Sequence, residues 1–396
     1  MPRSRLLAAT AVGAAALMAL AGCASSSGSS GGGGGSDSAK VAILTSKTGP
    51  LAEYGQEYIN GFKAGLDYAT QGTGKVDGRT IDVTYADDQG KPETAVSQFK
   101  DLVGKGYQVI GGTADSGIAL QLAPLAEQNK VLYVSGPAAV DSLTGINDYT
   151  FRSGRQTYQD VATAGASVGD VQGKKIVVFA QDYAFGQANE AAVKSVLGAQ
   201  GADVSSIMVP LSATDFTPFA LKAKQAGADL LFVAWAGDTT GAMWQALDQQ
   251  GVLGSTTVVT GLATTASYQI YGPASSKIDF LSYYFSGAPD NDVNAAMVDA
   301  LQKQGAQADL FSPDGFVAAQ MMVHALQSGD DVDGMIKSLE GWTFNAPKGQ
   351  ETVRASDHAM LQPMFLAKLT KKDGQWAPEL VKTLPADQVA PPEAGS

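Results

Sequence analysis

Two short stretches carry residue types that could do covalent chemistry. Gly165 to Gly169, "GASVG", has the G-x-S-x-G spacing of a serine-hydrolase elbow, with Ser167 as the nucleophile. Asp357 and His358 in "RASDHAM" could supply an acid and a base. An elbow needs a strand before its serine and a helix after it, whereas Ser167 falls in a helical pattern that begins near Thr157. Adjacent residues on an extended chain point to opposite sides, so the sequence favours a structural hydrogen bond for His358. An exported hydrolase built on Ser167, His358 and an acid is kept as an alternative. His324, the second histidine, lies in a helical run with Met321 and Leu326. No Cys/His/Asp cluster has metal-ligand spacing, and no cofactor is expected. "GTGKVDG", Gly72 to Gly78, lies between a helix and a strand and lacks the Gly-Lys-Ser/Thr ending of a phosphate loop.

Whatever chemistry remains must be held by a large body. The chain has 396 residues, 44% hydrophobic and 17% charged, which is enough for two domains. A formal charge of −12 argues against nucleic acid as a partner. The start is basic (Arg3, Arg5) and runs into an apolar stretch from Leu6 to Leu20, short and rich in small residues, as in an export signal. Leu20-Ala21-Gly22-Cys23 resembles the bacterial lipobox, in which the cysteine becomes the lipidated first residue of the mature chain. Residues 1–22 are therefore expected to be a signal peptide, and 23–39 a lipidated Cys23 with a Gly/Ser tether. The body would sit outside the cell, anchored to the outer face of the membrane. Cys23 is the only cysteine, so no intrachain disulfide is possible.

From Lys40 onward, short β-like runs alternate with helical ones. "VAILTS", "TIDVTYAD", "YQVI" and "VLYVSG" form one series; "KKIVVFA", "ADVSSIMVP", "DLLFVAW" and "TTVVTG" form another. The pattern predicts an α/β chain of two doubly wound, mainly parallel-sheet lobes. Further helices are expected over 291–304, 313–327 and 332–339, with a hairpin turned at Lys372-Asp373-Gly374. Ligands of open α/β sheets bind at strand carboxyl ends, where helix N-termini present free N–H groups. The loops there, including "GGTADSG", "SGPAAVDS", "DYAFG" and "AWAGDTT", mix small, hydroxylated and aromatic residues. That mixture suits a small organic solute better than turnover.

The succession "SKTGPLAEYGQEYINGF", "YADDQGKPETAV", "GPAAVDSLTG", "FAQDYAFGQ" and "RASDHAMLQPMF" resembles the substrate-binding lipoproteins of ABC importers in the branched-chain amino-acid-binding family. The resemblance implies a type I periplasmic-binding fold, with two lobes on a three-crossing hinge that close on the ligand. Crossings are expected near Arg152 to Arg155, Ser282 to Phe285 and Ala346 to Gly349. Lobe 1 would then be 40–153 plus 285–347, lobe 2 would be 154–284 plus 348–386, and 387–396 a tail. The partners implied are a small-molecule ligand (amino acid, amide or organic acid) and ABC permease subunits, with the ATPase reached indirectly. A monomer that binds without catalysis is expected, and a ligand sensor with no import role is the second alternative.

The resemblance also implies site residues. Ser116 would grip a ligand carboxylate with its hydroxyl and backbone N–H, and Pro137, Ala138 and Ala139 would offer backbone groups. Phe185 would cover the ligand's apolar part, and Tyr54 would border the cleft. Where the amino-acid binders have a tyrosine this chain has Ala236, leaving Trp235 or Asp238 as replacements. The glutamate that pairs with a ligand ammonium is matched by Leu262. Either Asp115, Asp238 or Asp182 supplies that charge, or the ligand has no ammonium group.

Overall fold

β1 (Ser38–Thr45) opens the structure, a computed structural model in which residues 38–271, 275 and 277–395 are described. The expected signal peptide, Cys23 and almost all of the tether lie outside the described residues. The first series continues with α1 (Ala52–Ala69), β2 (Lys75–Val76), β3 (Arg79–Asp87), α2 (Pro92–Gly104), β4 (Val109–Gly111), α3 (Ser116–Asn129), β5 (Leu132–Ser135) and β6 (Thr150–Arg152). These strands form a sheet in the order β2-β3-β1-β4-β5-β6, parallel except for the β2–β3 pairing. Val41 to Leu44 are all buried, as a central strand covered on both faces must be.

The second series runs α4 (Thr157–Val168), β7 (Lys175–Gln181), α5 (Ala184–Val196), β8 (Asp203–Val209), α6 (Thr217–Ala226), β9 (Leu230–Ala234), α7 (Thr240–Gln249), β10 (Thr257–Gly261), α8 (Tyr268–Tyr271) and β11 (Ile278–Ser282). Then follow α9 (Asp292–Lys303), α10 (Ser312–Gln327), α11 (Val332–Leu339), β12 (Thr343–Ala346), β13 (Gly349–Val353), β14 (Met360–Leu361), β15 (Met364–Lys372) and β16 (Gln375–Leu384). The second sheet has the order β16-β15-β11-β10-β9-β7-β8, with β15 and β16 as antiparallel additions at one edge. Asp373 and Gly374, both at positive φ, make the two-residue turn of that hairpin.

α10 packs against α1 in the core of the first lobe. The helices approach so closely that a Cβ on Gly61 or Gly65 would collide with the backbone of Ser312 or Phe316. Val353 and Met360 are buried in the same core as Phe344 and Ala346, so β12–β14 form a small antiparallel sheet on the first lobe. The chain enters the second sheet only at Met364. Gln362 and Pro363 thus link the small sheet to β15, whereas the expected third crossing near Ala346 to Gly349 falls within the β12–β13 hairpin. Pro347 and Lys348 instead turn a hairpin whose two strands bury apolar residues on the same side.

The hydrolase alternative finds no triad. Ser167 Oγ donates to Ala164 O within α4 at 2.8 Å. His358 Nδ1 bonds Thr150 O at 3.0 Å and its ring stacks on Phe151, while Asp357 is held by Arg354.

The tail adds a tie of its own. After β16 it buries Val389 beside Met297 and Leu301, and its carbonyls at Pro391 and Pro392 accept from Arg354. Asp357 accepts from Ala394 N at 3.0 Å. Burial alone would push the Asp357 carboxyl up, but Arg354 and two backbone N–H groups hold it below its usual value. A depressed carboxyl stabilises the fold above the unfolded pKa, and that contribution disappears as pH falls through the folded value. Asp357→Asn is therefore expected to unfold at lower urea than wild type at pH 7, with the gap closing below about pH 4.

Candidate functional site

In the first sheet the connections leave β1 and β4 in opposite directions, and in the second sheet the same reversal falls between β7 and β9. Such reversals open a crevice at the strand carboxyl ends. The two crevices face one cavity of about 100 Å³, lined from β1–α1 by Leu51 and Tyr54, from β4–α3 by Ser116, and after β5 by Pro137 and Ala139. From the other lobe come Tyr183 and Phe185 before and in α5, Trp235 after β9, and Leu262 after β10. A cavity of that size suits a small solute.

Ser116 is the first residue of α3, so its N–H has no intrahelical acceptor. Its Oγ accepts from Ala139 N at 3.2 Å, which leaves the hydroxyl proton available to a ligand. Asp115 does not line the cavity. As the N-cap of α3 it accepts from Ile118 N at 2.9 Å, and burial raises its carboxyl above the usual value. Ala138 also stays off the lining, because its carbonyl accepts from Arg152 at 2.8 Å. Asp238 is exposed, and Asp182 is exposed and accepts from Gln187 Nε2. None of the three candidate carboxylates is thus aimed at the space beside Leu262, which is itself buried.

Trp235 is fixed by its neighbours. Its ring stacks on Phe179 at 5.7 Å and meets Phe216 edge-on, and its Nε1 donates to Thr239 Oγ1 at 3.0 Å. Beyond it, Trp244 and Tyr271 continue the apolar wall, in edge-to-face contact at 5.3 Å. At the mouth the lobes touch: Thr265 N donates to Asp309 Oδ2 at 2.9 Å, and Gly237, at φ +86°, lies against Pro50. Tyr54 meets Phe311 edge-on at 4.8 Å, and burial pushes its hydroxyl up to about 12.

Sequence reasoning missed Tyr183, Trp244, Tyr271, Tyr283, Phe311 and Arg155, all of which line the cavity. Tyr183 stood inside the quoted "DYAFG" loop and could have been found there. Tyr283 and Phe311 arrive from chain that returns after the second series, so nothing local marks them. Arg155 was read only as part of a crossing.

The chain matches the periplasmic binding protein family over residues 38–375. A "Leu/Ile/Val-binding protein homolog 6" of Brucella abortus is 25% identical over 352 residues, 85% of this chain and 89% of that protein. A crystal structure of an ABC-type branched-chain amino acid transporter from Rhodopseudomonas palustris is 32% identical, with a TM-score of 0.75 over 90% of this chain and 100% of that one. A Rhodopseudomonas palustris solute-binding protein in complex with 4-hydroxybenzoate is 25% identical, with a TM-score of 0.81 over 88% of this chain and 97% of that one.

The capping role of Asp115 has a direct check. Asp115→Ala is expected to lower stability by about 1 kcal/mol while Asp115→Asn, which keeps the cap acceptor, changes it by about a third of that or less. Thermal denaturation of the two variants measures the difference.

Proposed function

We infer the function from one premise: the chain belongs to the periplasmic binding protein family. It is a solute-binding protein of ABC transport, capturing a small organic solute between its lobes and delivering it to a permease in the membrane. The solute is an organic acid with an apolar, ring-sized body. Its acidic end meets Ser116 and the N-terminus of α3, and its body lies among Tyr54, Phe185, Trp235 and Tyr271. The observation that carries this reading is the charge of the lining: the cavity's acid among the described residues, Asp160, is already paired with Arg155. A buried ligand ammonium would therefore have no counter-charge, at a cost of several kcal/mol.

Residues 1–22 direct export, Cys23 carries the lipid and the leash ends at 37 rather than at the expected 39, because Ser38 and Ala39 already pair with β3. We assign 38–153 with 285–361 to lobe 1 and 154–284 with 362–386 to lobe 2, with the tail from 387 tying one to the other.

Isothermal calorimetry tests the ligand class. Benzoate or 4-hydroxybenzoate is expected to bind with a Kd in the micromolar range, Ser116→Ala is expected to weaken it by about tenfold or more, and leucine, isoleucine and valine are expected to give no heat. Micromolar binding of a branched-chain amino acid that Ser116→Ala abolishes would refute the organic-acid reading. Cys23→Ser is expected to move the protein from the membrane fraction to the medium or periplasm, read by fractionation and by loss of a radiolabelled acyl chain.

A further inference from the structure

Arg155 is the one cation among the described residues that line the cavity. Its side chain is 10% exposed and three features hold it in place. Nη1 donates to Pro137 O at 2.8 Å, Nε lies 3.2 Å from Asp160 Oδ2, and the guanidinium covers the Tyr283 and Phe311 rings at 5.0 and 5.6 Å. Among the described residues, Nη2 has no acceptor. Pro137 belongs to a first-lobe loop and Asp160 to α4 of the second lobe, so Arg155 reaches both lobes at the back of the cleft.

We infer that Arg155 selects anions for the cleft, donating through Nη2 to a planar carboxylate of the solute, and that Asp160 is the residue that positions it. This rests on the organic-acid reading above and identifies the group that enforces it. A guanidinium whose other donors are fixed can add a charge-assisted bond with little further loss of freedom. A neutral amide can accept from Nη2 through its carbonyl oxygen but carries no charge, so it loses the charge-assisted part of that bond. Pairing with Arg155 also withdraws the Asp160 carboxylate from any ligand ammonium, which explains how the cleft works with Leu262 in the position of a glutamate.

The other charges nearby leave this role to Arg155. Arg152 is wholly buried and donates to the carbonyls of Ala138, Val140 and Arg155. Lys348 lies 3.9 Å from Glu351 and 3.9 Å from the Tyr283 ring centroid, and Asp314 packs on Gly154. None of these four lines the cavity.

The test uses benzoate and its neutral isostere benzamide, titrated into wild type, Arg155→Gln, Arg155→Lys and Asp160→Asn. Wild type is expected to prefer benzoate by about a hundredfold, with the preference collapsing to about threefold in Arg155→Gln and falling about tenfold in Asp160→Asn. Arg155→Lys keeps the charge without the fork and is expected to retain part of the preference, which serves if Arg155→Gln does not fold. Equal weakening of both ligands, or an unchanged ratio, overturns the inference while the organic-acid reading stands. A wild-type protein that binds no carboxylate from a panel of aromatic and aliphatic acids overturns both.

Discussion

The guanidinium of Arg152, wholly removed from water, is the interaction on which the cleft depends. It gathers the carbonyls of Ala138 and Val140, in the loop after β5, and that of Arg155, in the first crossing, all within 2.9 Å. This buried cation is tolerated because Nη1 and Nη2 both donate to backbone carbonyls, although Nε is left without a partner among the described residues. The consequence is geometric. The loop that places Pro137 and Ala139 against Ser116 and the crossing that places Arg155 at the back of the cavity are fixed by the same side chain.

Around this centre the hinge is unusually polar for a buried region. Asp314 on α10, Lys348 and Glu351 on the β12–β13 hairpin, Ser282 at the end of β11 and Gln362 between β14 and β15 are all buried. Burial pushes the Asp314 carboxyl up to about 8 and that of Glu351 to about 7, with Lys348 nearby opposing both shifts. Because the folded state holds these protons more tightly than the unfolded one, their contribution is greatest below about pH 4 and is lost as pH rises through the folded values. That trend runs opposite to Asp357, whose contribution appears only above its depressed pKa. The hinge interior and the tail tie therefore respond to acid with opposite signs: acid relieves the first and weakens the second.

How much of this was legible in the sequence depended on the range of the interactions. β1 and β7 could be read because a central parallel strand must be apolar on both faces, and Asp373-Gly374 because a two-residue hairpin needs two positive-φ positions. The sheet of β12–β14 was not legible: its strands are two to five residues long, and only the packing of Val353 and Met360 beside Phe344 shows which lobe they join. The same holds for the cavity. Tyr54, Ser116, Pro137, Ala139, Phe185, Trp235 and Leu262 follow strands in sequence and meet in one space, whereas Asp115 sits one residue from that space and faces the helix it caps. A position in a loop predicts proximity to the cleft; the direction of a side chain depends on its hydrogen-bond partners.

The identity of the counter-charge follows from that distinction. A glutamate at position 262 would place a carboxylate on the second lobe, so a zwitterion could bridge it to the Ser116 end of the cleft. With leucine there, the second lobe offers an apolar wall, continued by Trp244 and Tyr271, and the remaining charge lies at the hinge. On the reading proposed above, an anion bound to Arg155, which touches Pro137 and Asp160, gains contacts from both lobes only when they close over its apolar body. Selection by charge would then occur at the hinge and selection by shape at the aromatic walls. Closure is the step that requires both, since only a solute with an acid at one end and a flat apolar body at the other would satisfy Ser116, Arg155 and Trp235 together.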